Sequence, residues 1–163
     1  MFARVGPARE AQGSDIVARA VGALALAALA VIHVVDLPAT LGPTPAIGAG
    51  YFAIIAAAAL VGGVMITRSH RLAWVAAGGV AMMAMGGYVL TRAVPGGFLG
   101  DHTDVGNWRC PLGLAALSVE TILILLAALT AWQARTQARR NAPQPLPEPA
   151  RERLPVLSGR RPA

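Results

Sequence analysis

The sequence predicts an all-α fold, a polytopic membrane protein of four transmembrane helices in an antiparallel bundle with both termini on the cytoplasmic side. Three observations predict it. Four long apolar stretches, 16–35, 46–66, 72–91 and 112–132, each come close to the ~20 residues a helix needs to cross a ~30 Å hydrocarbon layer. Only 13% of residues are charged against 55% hydrophobic, a balance that needs lipid as the apolar solvent. Every basic residue is an arginine, and all but Arg92 and Arg109 fall on one side of the stretches.

Cytoplasmic loops retain Lys and Arg, so that bias sets the orientation. Arg4, Arg9 and Arg19 precede or open the first stretch, Arg68 and Arg71 lie between the second and third, and Arg135 to Arg161 follow the fourth. An odd number of spans would break this alternation. The bundle, 15–133, is the only domain, with a lead at 1–14 and an Arg/Pro-rich disordered cytoplasmic tail at 134–163. The net charge of +6 sits mainly on the cytoplasmic face, which points to contact with anionic lipid and away from nucleic acid. Arginine without lysine, with abundant Ala, Gly and Pro, points to a GC-rich bacterial genome and hence to the inner membrane.

Along the chain, Ser14 and Asp15 form an expected N-cap for the first helix. That helix is longer than a signal-peptide core and is followed by Val34-Val35-Asp36-Leu37-Pro38 rather than a small-residue cleavage site, so it is read as a retained span. Leu37-Pro38 is expected to end it, and Gly42-Pro43-Thr44-Pro45 to turn into the second. The connection Arg68-Ser69-His70-Arg71 is short enough to make spans two and three a hairpin. Small residues at Ala58, Gly62, Ala59, Gly63, Gly78-Gly79 and Gly86-Gly87 are expected to bring those two spans close together. The longest connection, 93–111, is external, begins Pro95-Gly96-Gly97 and ends Cys110-Pro111.

Ionisable groups at membrane depth are expensive, so they mark the candidate site. Glu120 lies about 12 Å inside span four, near the midplane, with Tyr88 and Ser118 as expected partners. His33 and Asp36 share a helix face near the outer end of span one, a pair able to orient an imidazole. With Tyr88 and Arg92 they make a polar membrane cluster. The external loop adds Asp101, His102, Asp104, Trp108, Arg109 and Cys110, which are expected to share an outer vestibule with His33 and Asp36. His33, His102 and Cys110 are weak candidate metal ligands, lacking any established ligand spacing. No cofactor is implied. The methionines Met65, Met82, Met83 and Met85 read as flexible packing rather than copper ligands. A single cysteine excludes an intrachain disulfide.

The stretch Gly87-Tyr88-Val89-Leu90-Thr91-Arg92-Ala93-Val94-Pro95-Gly96, then Asp104-Val105-Gly106-Asn107-Trp108, then Pro111-Leu112-Gly113 leading to Glu120, resembles a family of small four-span bacterial integral membrane proteins without an established function. The resemblance covers roughly residues 33–126. It implies a pattern in which His33, Arg92, Trp108 and Glu120 match, while a second histidine of span one is replaced by Thr40. It implies the fold and no reaction.

Taken together, the residues point to a non-enzymatic accessory or assembly component, with the lipid bilayer and a membrane-protein partner or a homodimer through Gly-rich faces as contacts. The alternative is a small transporter or a metal/proton-handling protein using the polar cluster at the external mouth.

Overall fold

Four apolar runs need internally satisfied backbone, and they form helices. The structure, a computed structural model, describes residues 7–67 and 71–142. The connection 68–70, with His70, and most of the predicted tail lie outside the described residues. The elements are α1 (Pro7–Leu41), α2 (Pro45–Thr67), α3 (Arg71–Ala93) and α4 (Pro111–Arg140). All four are long and apolar enough to cross a membrane, so the fold is that of a multi-pass membrane protein built as an all-helical four-helix bundle. Pro45 and Pro111 open α2 and α4, where a missing N–H costs nothing.

Three boundaries differ from the sequence reading. Helix α1 starts at Pro7, so Ser14 and Asp15 lie inside it rather than at its cap. It also runs through Pro38 to Leu41. Pro38 removes one N–H bond near the end without stopping the helix, and threonines close the turn beyond it: Thr40 donates to the Leu37 carbonyl at 2.9 Å, and the Thr44 amide to the Thr40 carbonyl at 3.0 Å. Helix α4 continues to Arg140, so residues 134–140 are helix rather than tail. Its final turns are rich in Ala, Gln and Arg, which are good helix formers.

Each helix packs on two neighbours, α1 on α2 and α4, and α3 on α4 and α2. The core is formed by Leu26 and Leu29 of α1, Ala58 and Met65 of α2, Leu123 of α4 and a small-residue face of α3, Ala73, Ala77, Ala81 and Ala84. In lipid such faces matter because close backbone approach supplies most of the attraction between helices. The closest pairs are α1 with α2 and α3 with α4, not α2 with α3 as the sequence led us to expect. The glycines explain the difference. Gly62 faces Leu26 of α1, and Gly78 faces Ala127 of α4, where an added Cβ would lie 3.0 Å from the alanine methyl. Ala59, Gly63 and Gly79 point outward.

Large side chains such as Leu24, Leu60, Leu72, Met83 and Trp132 are about two-thirds exposed, which suits a bundle whose solvent is lipid. Met65 is buried against Gly22, while Met82 and Met83 face outward; neither arrangement gathers sulfur ligands. At the end opposite the long loop, Arg19 donates its Nε to the Met65 carbonyl at 2.8 Å and an Nη to the Ile66 carbonyl. A cation from α1 thereby caps the last turn of α2, where unpaired carbonyls accumulate.

Candidate functional site

The site is assembled where the C-terminal turns of α1 and α3 meet the N-terminal turns of α2 and α4, beneath the loop 94–110. That loop is held by its own turns. Phe98 to Asp101 is closed by the Asp101 amide donating to the Phe98 carbonyl at 3.0 Å, with Leu99 (φ 52) and Gly100 (φ 88) as its central residues. Positive φ at both is the pattern of a type I′ turn. Asp101, 7% exposed, accepts from the Thr103 amide, the Thr103 hydroxyl and the Asp104 amide through one oxygen, so it shapes the loop. His102, Trp108 and Arg109 are exposed.

Arg92 ties this loop to the bundle. Its Nε donates to the Asn107 carbonyl at 2.9 Å, Nη1 to the Thr91 hydroxyl at 2.8 Å and the Tyr88 carbonyl at 3.3 Å, and Nη2 pairs with Asp104 at 3.2 Å. The guanidinium also lies 3.7 Å from the centre of the Tyr88 ring. Tyr88 in turn donates its hydroxyl to the Trp108 carbonyl at 3.0 Å and meets the Trp108 ring edge-on. Its ring lies against Gly113 of α4 so closely that no Cβ would fit there.

Under the loop are two hollows. The one nearer the loop, about 210 Å³, is lined by Asp36, Thr44, Tyr51, Thr91, His102 and Asp104 among others. The deeper one, about 240 Å³, includes His33, Asp36, Tyr51, Arg92, Cys110 and Glu120 in its lining. Asp36, Ile47, Tyr51 and Thr91 line both, so these residues form the wall between them. The sequence-predicted cluster of His33, Asp36, Tyr88, Arg92 and Glu120 therefore borders one cavity, joined by Cys110. Asp101, His102 and Asp104 belong to the hollow above it, and Trp108 and Arg109 line neither.

Two expected pairings are replaced. His33 Nδ1 is 2.9 Å from the Leu29 carbonyl, which can only accept, so Nδ1 carries the proton and Nε2 keeps the lone pair in the neutral ring. Asp36 is taken by Tyr51, whose hydroxyl donates to it at 2.9 Å, while the Tyr51 ring meets the His33 ring edge-on at 4.9 Å. The imidazole is thus oriented by backbone and by an aromatic edge rather than by Asp36. Glu120 has neither of its expected partners. Tyr88 serves Trp108, Ser118 returns its hydroxyl to the Leu114 carbonyl at 2.8 Å, and Glu120 Oε2 is buried without a hydrogen-bond partner.

Tyr51 and Thr91 were missed by sequence reasoning. A signal for Tyr51 existed: it is as far after the turn at Pro43-Thr44 as Asp36 is before it, the register that faces residues across a helical hairpin. Among the described residues no group of three or more His, Cys, Asp or Glu side chains is placed to hold a metal ion. The candidate ligands are divided instead, His33 and Cys110 at the deep cavity and His102 at the hollow above.

No family model matches this chain, and comparisons with curated proteins and with solved structures give no significant match. Its class rests on its own geometry, a multi-pass helical bundle with a polar-floored cavity under a tethered loop.

Proposed function

We propose that the chain is a small, non-enzymatic protein of a bacterial inner membrane whose deep cavity takes up a small ligand from the outer side. In this reading the helices are antiparallel, both termini are cytoplasmic, and the loop 93–111 caps the outer face. The arginine bias supports that orientation. The resemblance to small four-span bacterial membrane proteins belongs to the same proposal.

The observation that carries the reading is Glu120. It is 1% exposed, its Oε2 has no partner among the described residues, and it lines a cavity that adjoins a second hollow under the loop. A buried carboxyl oxygen without a partner is costly in a membrane bundle. Such a group is explained by what enters the cavity. The absence of catalysis is supported by how the neighbours are used: the hydroxyl of Tyr51 joins two helices, Tyr88 and Thr91 bond to backbone, and Arg92 holds the loop. An accessory role through glycine faces has weaker support, because Gly62 and Gly78 are spent on contacts within the bundle.

Cys110, the single cysteine, lines the cavity and so reports on it. In sealed right-side-out membranes a small, impermeant sulfonated maleimide should alkylate Cys110 from outside. Alkylation only after permeabilisation would reject the proposed orientation, and no alkylation in either case would reject an open cavity.

A further inference from the structure

The hydrogen-bonding inventory of the deep cavity is one-sided. Most donors whose bonds are described are already committed: four of the five N–H groups of Arg92, the hydroxyls of Tyr51, Tyr88 and Thr91, and Nδ1 of His33. What remains is mainly acceptor capacity, chiefly the unpartnered Oε2 of Glu120. Charge runs the same way. Two carboxylic acids, Asp36 and Glu120, line the cavity, and its one arginine is paired with Asp104, which is not in that lining. The rest of the wall is largely apolar, including Ile47, Ile54, Ala84 and Ala116.

A guest that fits must bring N–H donors and positive charge on a compact apolar body. We infer that the cavity binds a small lipophilic ammonium ion, its N–H groups donated to Glu120 and its apolar part lying among Ile47, Ile54, Ala84 and Ala116. This rests on the reading of the cavity as a ligand site. Size sets the limit: an apolar cavity of ~150 Å³ holds one benzene, so this one holds roughly ten non-hydrogen atoms. An alkyl or aryl primary amine fits that space, and a longer lipid chain does not. An ammonium–carboxylate hydrogen bond made away from water is among the strong ones, so charge and not shape should dominate selection.

Cys110 borders the same cavity, so an occupant should shield it. The experiment measures the rate of Cys110 alkylation by a small maleimide on the full-length protein in lipid nanodiscs. Three samples are compared: no addition, 2-phenylethylammonium, and 2-phenylethanol, its neutral counterpart. The expected result is saturable protection by the ammonium at a concentration at least tenfold lower than by the alcohol, with that preference lost in Glu120→Gln. The comparison of the two probes on the unaltered protein needs no variant, so the test stands even if Glu120→Gln fails to fold. Equal protection by both probes, or a preference that survives in Glu120→Gln, would overturn the ammonium assignment while leaving a ligand cavity in place. Ready alkylation that neither probe slows would overturn it as well. Failure of Cys110 to react even without a probe would instead remove the cavity reading on which the inference depends.

Discussion

Replacing Arg92 with alanine should release the loop 94–110 while leaving the far side of the bundle intact. The residue is 8% exposed and makes a part-buried bond to the Asn107 carbonyl of the loop and a buried one to the Thr91 hydroxyl of its own helix. Hydrogen bonds from a charged donor are worth about 1.5–3 kcal/mol each. The Asp104 contact adds little, because that carboxylate is 32% exposed and solvent screens it to ~0–1 kcal/mol. Only the Asn107 bond and the Asp104 contact cross from α3 to the loop, because Thr91 and Tyr88 belong to α3 themselves, so the loop-opening equilibrium loses about 1.5–4 kcal/mol, or roughly 10- to 10³-fold at 1.4 kcal/mol per tenfold. Hydrogen exchange read by mass spectrometry follows this directly through the amides of Asp101, Gly106 and Asn107, each bonded within the loop or to α3. Arg92→Lys keeps the charge beside Asp104 but cannot reach Asn107 and Thr91 together, so it should fall between the two. Loop exchange accelerated less than tenfold, or equal acceleration in α1 and α2, would refute the assignment of Arg92 as the loop's anchor.

Neighbouring glycines offer a matched pair. Gly78→Leu drives a side chain into Ala127 of α4 and should cost ~1–3 kcal/mol of stability, whereas Gly79→Leu meets open space and should leave thermal unfolding in detergent unchanged. If both lower the midpoint alike, the α3–α4 contact is misassigned. Arg19→Ala should fray the last turn of α2 by exposing the Met65 and Ile66 carbonyls, a loss of about 1–2 kcal/mol after allowing for its partial exposure. Faster exchange at residues 63–67 would show it, and unchanged exchange there would mean that water serves those carbonyls equally well.

Helices and spans were legible because lipid demands about twenty apolar residues in a row, a signal stronger than any local propensity. The ends were less so. Pro38 reads as a stop, yet the helix runs one turn past it to an end that Thr40 and Thr44 close, and that closure is invisible until the turn is built. Partners of glycines were misread for a related reason: sequence shows which positions are small, but helix rotation decides which neighbour they meet, and rotation put Gly62 against α1 and Gly78 against α4. In the site, the costly residues announced themselves. His33 and Glu120 stood out because ionisable groups are rare at membrane depth, and Arg92 was marked by the family resemblance. Tyr51 did not, since a tyrosine near a helix end is ordinary in a membrane protein.

The loop anchor and the cavity are not independent parts. Arg92 lines the deep cavity, yet its bonds are spent upward on Asn107 and Asp104 and sideways on Thr91 and Tyr88. Glu120 lines the same cavity with its Oε2 unpartnered. Held by the loop and by α3, the guanidinium keeps four of its five N–H groups from any guest. Loosening the loop in Arg92→Lys should therefore change the cavity as well as the loop, and the two effects share a single cause.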